Sequence, residues 1–191
     1  PSYAPQDVPQ EKRVLEIPAR AQNMRRSFGY LGIKRGFDYD IVRELVRQGR
    51  IFETVKQIEG TTYHDTAFAG LDERGVIQSV SLRSCETQST FKTEAQGSNK
   101  AFPFTMPGRK GADTLYVFES AIDAMSHATL CKLVGEPWNN GVRVAMGGNN
   151  TIQPILRLLK EHPAIQNITF GLDADEAGQK MTVAYMKALK N

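Results

Sequence analysis

The stretch NITFGLDADEAGQKM, residues 167–181, decides how the C-terminal half of this chain folds. Its apolar run, residues 168–172, predicts a buried strand, and the run meets Asp173, Asp175 and Glu176 directly. In an extended chain residues two apart point the same way, so Asp173 and Asp175 can face one site. Such carboxylates can hold a hard cation such as Mg²⁺. They can also start the next helix, with Asp173 as its cap and the other two acids in the first turn. The stretch alone leaves both uses open.

The residues before this stretch alternate between strand and helix patterns. From residue 114 the strands are TLYVFE (114–119), VRVAM (142–146) and ITFGL (168–172), with helices over 120–135, 151–162 and from about residue 175. This alternation predicts an α/β fold with a parallel sheet, right-handed crossovers and flanking helices.

Glu119, Asp173 and Asp175 are expected to lie at one edge of that sheet, because ligands gather where parallel strands end. Gly147 and Gly148 end the strand that lies between these acids in sequence. Glu119 closes an apolar strand and has no capping role. Asp123 differs, because Ser120-x-x-Asp123 is typical of a capping box.

The first part of the chain has a different pattern. Residues 1–19 hold four of the nine prolines and predict a linker or extended arm. Residues 20–36 and 38–49 predict two short helices. Residues 66–71 and 76–83 flank the turn DERG and predict a hairpin, and residues 84–113 predict short strands and loops. We therefore expect a smaller basic α+β subdomain over 20–110 and a second domain over 111–191.

Charge is unevenly distributed although the net charge is only +3. Residues 20–50 carry eight basic side chains against three acidic ones: Arg20, Arg25, Arg26, Lys34, Arg35, Arg43, Arg47 and Arg50. This segment can bind an anionic polymer, or it can be a solvated helix face.

Other features bound the class of protein. No apolar run or leader predicts membrane insertion or secretion, so we expect a cytoplasmic protein. Cys85 and Cys131 are far apart and have no nearby histidines, so neither a disulfide framework nor a zinc site is predicted. Because the sequence opens without methionine, we expect it to be part of a longer chain.

Two segments resemble the motifs of the Toprim fold. LYVFESAIDAMS (115–126) resembles the first motif, and ITFGLDADEAGQK (168–180) resembles the second. In the front part, YLGIKRGFDYDIVRELVRQGRIFE (30–53) is similar to the start of the basic subdomain that precedes Toprim in primases. AFAGLDERGVIQSVSLR (67–83) and GSNKAFPF (97–104) are similar to its hairpin and its lysine-bearing loop. The chain most resembles primase-like proteins of plasmids and integrative mobile elements.

The resemblance implies metal-dependent nucleotidyl transfer, in which primers are made on single-stranded DNA from nucleoside triphosphates. It implies that Mg²⁺ or Mn²⁺ is held by catalytic Glu119, Asp173 and Asp175, with Asp123 in a supporting role. Nucleic acid or nucleotide would contact Arg83 and Lys100 and, from the basic segment, Arg25, Arg26 and Arg35. A helicase, or conjugation and replication proteins, would be partners through regions beyond this sequence.

Several alternatives stay open. The chain can be a metal-dependent Toprim nuclease, or a non-catalytic nucleic-acid-binding module of a replication or transfer complex. The downstream acidic residues and the zinc-binding domain of primases have no match in this sequence, so an inactive or truncated relative is a further alternative. No tyrosine stands in a topoisomerase-like motif. A phosphatase-like fold would place Asp-x-Asp on the first strand rather than the last.

Overall fold

The structure is a computed structural model that describes residues 14–86, 88–148 and 151–190. The predicted arm lies outside these residues except for its last part, 14–19. That part forms no helix or strand of its own and runs along the N-terminal sheet, where Glu16 N–H donates to the Gln96 carbonyl (3.0 Å) and Ala19 accepts from Val55 N–H (3.1 Å). In the ranges that the structure describes, no helix is long and apolar enough to cross a bilayer.

The N-terminal subdomain packs short helices on an antiparallel sheet. The helices are α1 (Arg25–Phe28), a π-helical segment (Gly29–Lys34) and α2 (Tyr39–Arg47). The N-terminal sheet has the order β1-β2-β3-β4, with β1 (Ile51–Ile58), β2 (Thr61–Leu71), β3 (Ile77–Ser84) and β4 (Lys92–Glu94). The predicted hairpin is β2–β3, and Gly75 in its turn has a φ of 78°.

The structure differs from the prediction at the start of this subdomain. The predicted helix over 20–36 begins only at Arg25, because residues 19–21 bond to the edge of β1, where Ala21 N–H donates to the Glu53 carbonyl (2.8 Å). Strands β1 and β4 were not predicted individually. Each exists through pairing with a neighbouring strand of the sheet.

A buried carboxylate anchors α1 to the sheet. Glu53 is only 2% exposed, and it accepts hydrogen bonds from Ser27 N–H (2.9 Å) and from the His64 ring (2.7 Å). The Ser27 hydroxyl accepts from Thr66 (2.9 Å), which lies directly opposite Arg83 in the sheet. Buried polar groups that are paired in this way fix a helix in place, so α1 lies beside the Arg83 end of β3.

The C-terminal domain is the predicted α/β unit. Its elements are β5 (Thr105–Met106), β6 (Thr114–Phe118), α3 (Ala121–Leu133), β7 (Val142–Ala145), α4 (Gln153–Glu161), β8 (Asn167–Gly171) and α5 (Glu176–Ala188). The C-terminal sheet has the order β5-β7-β6-β8, and β6 is parallel to both of its neighbours. The predicted parallel architecture is confirmed. β5 lies in the region where short strands were predicted without individual bounds, and β6 ends one residue before Glu119.

One hydrophobic core joins the two parts. Leu31 and Ile41 from the front helices pack with Phe68 of β2, Phe104 and Met125 of α3 in a single buried cluster. Two ion pairs reinforce this junction, since Lys132 of α3 contacts Asp38 and Asp40 at 2.8 Å each. The two sheets are therefore held at a defined distance, and a cleft opens between them.

Candidate active site

Backbone hydrogen bonds at the ends of β6 and β7 build the site. Met146 N–H donates to the Phe118 carbonyl (2.8 Å), and Gly147 N–H donates to the Glu119 carbonyl (2.7 Å). Gly147 and Gly148 have φ values of 63° and 70°, which favour glycine and turn the chain away from the sheet. On the other side of β6, Phe118 pairs with Gly171 of β8. Glu119 thus lies between the glycine turn and the start of the Asp173 loop.

Four carboxylates share this edge. Glu119 is half-buried, and Asp173, Asp175 and Asp123 are all close enough to act on it electrostatically, Asp173 most strongly. Burial raises the pKa of Glu119 above its ordinary value, and the negative charges of its neighbours, Asp173 first, raise that pKa further. No ion pair within the described ranges involves any of the four acids.

Two of the four acids also cap helices. Asp175 is the N-cap of α5 and accepts from Gly178 N–H through Oδ1 (2.8 Å), so the cap is Asp175 and not Asp173. Asp123 completes the predicted capping box, since its Oδ2 accepts from Ser120 N–H (3.1 Å) and from the Ser120 hydroxyl (2.6 Å). The capping box predicted for Asp123 is therefore present, whereas the cap of α5 predicted at Asp173 lies at Asp175 instead. Asp173 is exposed and lies near Glu119.

Gly178 allows the close approach of α5 to the site. A Cβ atom on Gly178 would collide with the Asp173 carbonyl oxygen. Any larger residue would therefore push the helix away from the loop that carries Asp173. The sequence contained this glycine, but its role depends on packing that only the fold shows.

The donor chemistry of the edge fits a hard divalent cation. As the side chains stand, no group of three His, Cys, Asp or Glu residues in the described part of the chain is arranged to hold a metal ion. Glu119 and Asp173, however, are close enough for their charges to interact, and neither takes part in an ion pair of the described residues. Carboxylate oxygens are the ligands that Mg²⁺ and Mn²⁺ prefer, and Mg²⁺ uses only one or two of them plus waters and substrate phosphates.

A cleft of about 290 Å³ runs between the two sheets. One wall contains Glu119, Gly147 and Gly148, and the other contains Arg83, Lys92 and Lys100. The structure therefore brings predicted Arg83 and Lys100 to the same cleft as Glu119. Lys92 was missed by sequence reasoning, because its place depends on β4 pairing with β3, where Lys92 lies directly opposite Arg83.

The structure does not bring Arg25, Arg26 and Arg35 to the cleft, since none of them lines it. Arg26 forms an ion pair with Glu86 (2.9 Å), and Arg35 Nε donates to the Tyr30 hydroxyl (3.1 Å). Arg25 is exposed on α1.

The rest of the basic segment has structural partners. Arg43 and Arg47 pair with acids one turn earlier on α2, Arg50 donates to the Thr105 carbonyl (3.0 Å), and Arg20 stacks on the Phe52 ring (4.1 Å). The solvated-face interpretation therefore fits α2, whereas α1 keeps a basic surface beside Arg83.

Two family models match separate parts of the chain. A family model described as Toprim-like matches residues 116–191, and one described as a protein of unknown function (DUF3991) matches residues 29–110. No curated protein sequence is significantly similar to the chain.

Solved primase structures share the fold at low sequence identity. The primase fragment of the bacteriophage T7 primase-helicase protein has a TM-score of 0.56 at 16% identity, with 94% of this chain and 69% of that chain covered. A DnaG primase catalytic domain bound to single-stranded DNA has a TM-score of 0.56 at 15% identity, with 88% and 62% covered. The E. coli primase catalytic core has a TM-score of 0.53 at 16% identity, with 85% and 60% covered.

The domain that carries the parallel sheet and its acidic edge is thus similar to the Toprim-like family over residues 116–191. The chain as a whole has the fold of the solved primase catalytic cores. It spans about three fifths of the length of the DnaG and E. coli structures, as the 62% and 60% coverage shows.

Replacing Glu119 with glutamine should raise the free energy of unfolding at pH 7 in the absence of divalent ions. The raised pKa means that the folded protein disfavours the charged carboxylate. The contribution of Glu119 to the free energy of unfolding is therefore fully present below about pH 4, where its carboxyl group is protonated in the folded and the unfolded chain alike. This contribution is lost as pH rises through the raised pKa of the folded protein. The increase in the free energy of unfolding that Glu119→Gln gives at pH 7 should accordingly vanish near pH 4.

Denaturant unfolding of both proteins at the two pH values tests this expectation. Asp113→Asn, at the opposite end of β6, is the matched control and should show no such gain. A parent protein that is more stable than Glu119→Gln at pH 7 would contradict the electrostatic account.

Proposed function

We propose that this protein carries out metal-dependent nucleotidyl transfer, making primers on single-stranded DNA from nucleoside triphosphates. The observation that carries the proposal is the cleft itself, with Glu119 on one wall and Arg83, Lys92 and Lys100 on the other. A carboxylate that can bind a cation and basic side chains that can bind phosphates would then contact the same substrate.

Glu119, Asp173 and Asp175 would hold Mg²⁺ or Mn²⁺, and Asp123 would support them by keeping the Ser120 turn in place through its two hydrogen bonds. When bound there, the ion would supply positive charge for activating the attacking 3′-hydroxyl and for offsetting charge on the departing pyrophosphate. The half-buried position of Glu119 strengthens its interaction with a cation, because fewer waters screen it.

Arg83 and Lys92 are suited to bind the triphosphate. They are directly opposite each other on β3 and β4, and like charges in this position destabilise a sheet unless an anion lies between them. Arg83 presents a planar fork to phosphate oxygens, whereas Lys92 and Lys100 act as point charges. The Gly147–Gly148 turn exposes backbone without side chains at the facing wall, which leaves room for the nucleotide.

Template DNA would approach along α1. This helix lies beside the Arg83 end of β3 and presents Arg25 and Arg26, and Arg35 follows at the end of the π-helical segment. The Arg26–Glu86 ion pair is half-exposed, so a phosphate can replace Glu86 at little free-energy cost. These contacts are to the DNA backbone and do not depend on sequence.

In the cell, the protein would act in the cytoplasm as part of the replication machinery of a plasmid or integrative mobile element. A helicase, or conjugation and replication proteins, would bind regions of the full-length protein beyond this sequence. The structure supports the catalytic part of this proposal, and the resemblance of the motifs supports the remainder.

Primer synthesis should depend on Glu119. The full-length protein, given template, nucleoside triphosphates and Mn²⁺, is expected to form short oligonucleotides and release pyrophosphate. Glu119→Gln should reduce the rate by at least about 10³-fold, because loss of a cation ligand removes several kcal/mol of charge stabilisation from the transition state. Asp113→Asn, directly before β6 and at the opposite end from Glu119, should retain parental activity.

The products of this assay separate the competing functions. A nuclease would shorten labelled DNA under the same ions, and a binding module would leave both DNA and triphosphates unchanged. Oligonucleotide synthesis that survives Glu119→Gln would remove this residue from the proposed chemistry.

Divalent ions should bind at the acidic edge, and weakly, because substrate phosphates complete the coordination shell. Mn²⁺-dependent water proton relaxation is expected to detect this site, and Asp173→Asn should weaken binding since it removes an exposed acid that contacts Glu119. Asp113→Asn again serves as the control. Equal Mn²⁺ affinity in Asp173→Asn and parent would place the ion elsewhere.

Single-stranded DNA should bind with a strong dependence on salt. The plot of log K against log salt has a negative slope, and replacing Arg25 and Arg26 with glutamine should make it shallower by about 1 to 2. Each phosphate contact on a single strand contributes about 0.7 to the steepness of this slope. Arg43→Gln and Arg47→Gln on α2 are matched controls, since both arginines are exposed and already paired. If the α2 substitutions lower the slope as much as the α1 substitutions, α1 is not the DNA surface.

A further inference from the structure

We propose that Arg157, on α4, is a positioning residue that holds Lys100 at the wall of the cleft. The inference rests on the proposed function, because it takes Lys100 to contact the phosphates of a nucleoside triphosphate. Arg157 does not itself line the cleft. It acts through the backbone of the turn that carries Lys100, residues 99–102, which we call the lysine turn.

The two ends of the lysine turn are tied to β3. Asn99 N–H donates to the Gln78 carbonyl (2.8 Å), and the Ser79 hydroxyl donates to the Phe102 carbonyl (2.5 Å). Within the turn, Phe102 N–H donates to the Asn99 carbonyl (3.0 Å). Neighbouring β2 contributes Gly70, where a Cβ atom would collide with the Phe102 carbonyl. The turn is therefore pressed against the N-terminal sheet on one side.

Arg157 holds the turn from the other side. Its Nε donates to the carbonyl of Ala101 (3.0 Å), the residue directly after Lys100, and its guanidinium lies over the Phe102 ring (4.4 Å). Its Nη1 donates to both oxygens of Glu161 (2.7 and 2.6 Å), one turn later on α4. The planar guanidinium makes all three contacts at once, which a lysine ammonium cannot reproduce.

This clamp is better shielded than the surface pairs of α2. The side chains of Arg157 and Glu161 are 17% and 15% exposed, whereas Arg43 and Asp40 are 67% and 70% exposed. Since a shielded charge-assisted contact is stronger than an exposed one, the Arg157 clamp can hold backbone in place.

The clamp also relates the two walls of the cleft to each other. Helix α4 follows the Gly147–Gly148 turn, which lies on the wall with Glu119, while the lysine turn forms part of the opposite wall. Arg157 therefore connects α4, which follows the wall that contains Glu119, to the lysine turn on the opposite wall. Moving a phosphate-binding group by about 1 Å can strongly weaken binding or lower the rate. The distance between the two walls of the cleft therefore matters for binding a triphosphate.

The test is a double-mutant cycle on ATP binding. Calorimetry with ATP and Mg²⁺ would compare the parent with Lys100→Met, Arg157→Lys, Arg157→Gln and the pair Arg157→Lys/Lys100→Met. Lys100→Met and both Arg157 variants should each weaken ATP binding by about tenfold, as expected for one charge-assisted contact. The pair should be no weaker than Lys100→Met alone, because Arg157 acts only through Lys100.

Two further measurements distinguish positioning from charge or general stability. Lys160→Gln removes an exposed positive charge from the same helix and should bind ATP as the parent does. Hydrogen exchange of residues 99–102 should accelerate in Arg157→Lys, while α3 and β6 keep their parental exchange. Should Arg157→Gln fail to fold, Phe102→Leu loosens the same clamp from the turn side and should weaken ATP binding several-fold.

The outcomes separate this inference from the proposed function. Parental ATP binding by Arg157→Lys, or additive losses in the double variant, would overturn the positioning role while the function stands. Unchanged exchange of the lysine turn in Arg157→Lys would also overturn it. A parent protein that does not bind ATP would overturn the proposed function and the inference together.

Discussion

The parallel pairing of β6 with β7 and β8 is the constraint on which the rest of the structure depends. The buried N–H and C=O groups of a central strand must be hydrogen-bonded, and β6 bonds to β7 on one side and to β8 on the other. Both neighbours are parallel to β6, so all three strands run in the same direction. The strands therefore end at one edge, where Met146 and Gly147 bond to the last carbonyls of the β6 segment at 2.8 and 2.7 Å. Glu119, the glycine turn and Asp173 become neighbours as a direct consequence.

The acidic edge stabilises the starts of two helices but also brings like charges close to Glu119. Asp123 and Asp175 stabilise the starts of α3 and α5, because helix N-termini favour negative charge and unpaired N–H groups need acceptors. Burial raises the pKa of Glu119, and the charge of Asp173 together with those of Asp175 and Asp123 raises it further. Capping thus keeps like charges together that would otherwise separate, and a divalent cation is the partner that would offset their repulsion.

The basic wall has a comparable origin. Strand register puts Arg83 beside Lys92, while the lysine turn is fixed by bonds from β3 and from Arg157. The shared core between the two parts, in which Phe68 and Phe104 pack edge to face at 5.4 Å, holds this wall opposite the acids. The charge pattern of the cleft therefore depends on the packing of the whole chain and not on any one segment.

The sequence by itself determined the C-terminal domain almost completely. Strand and helix periodicity, the Ser120–Asp123 capping box and the glycine pair after β7 are short-range signals, and they placed β6 to β8, α3 to α5 and the acidic edge. Only the tertiary structure decided that Asp175 rather than Asp173 caps α5, that β1 and β4 join the N-terminal sheet, and that Lys92 lines the cleft. It also separated Arg25, Arg26 and Arg35 from that cleft and tied Arg157 to the lysine turn. The Asp175 cap is a local contact with Gly178, three residues further on. The other features depend on strand register and on packing between separate elements, which no local pattern encodes.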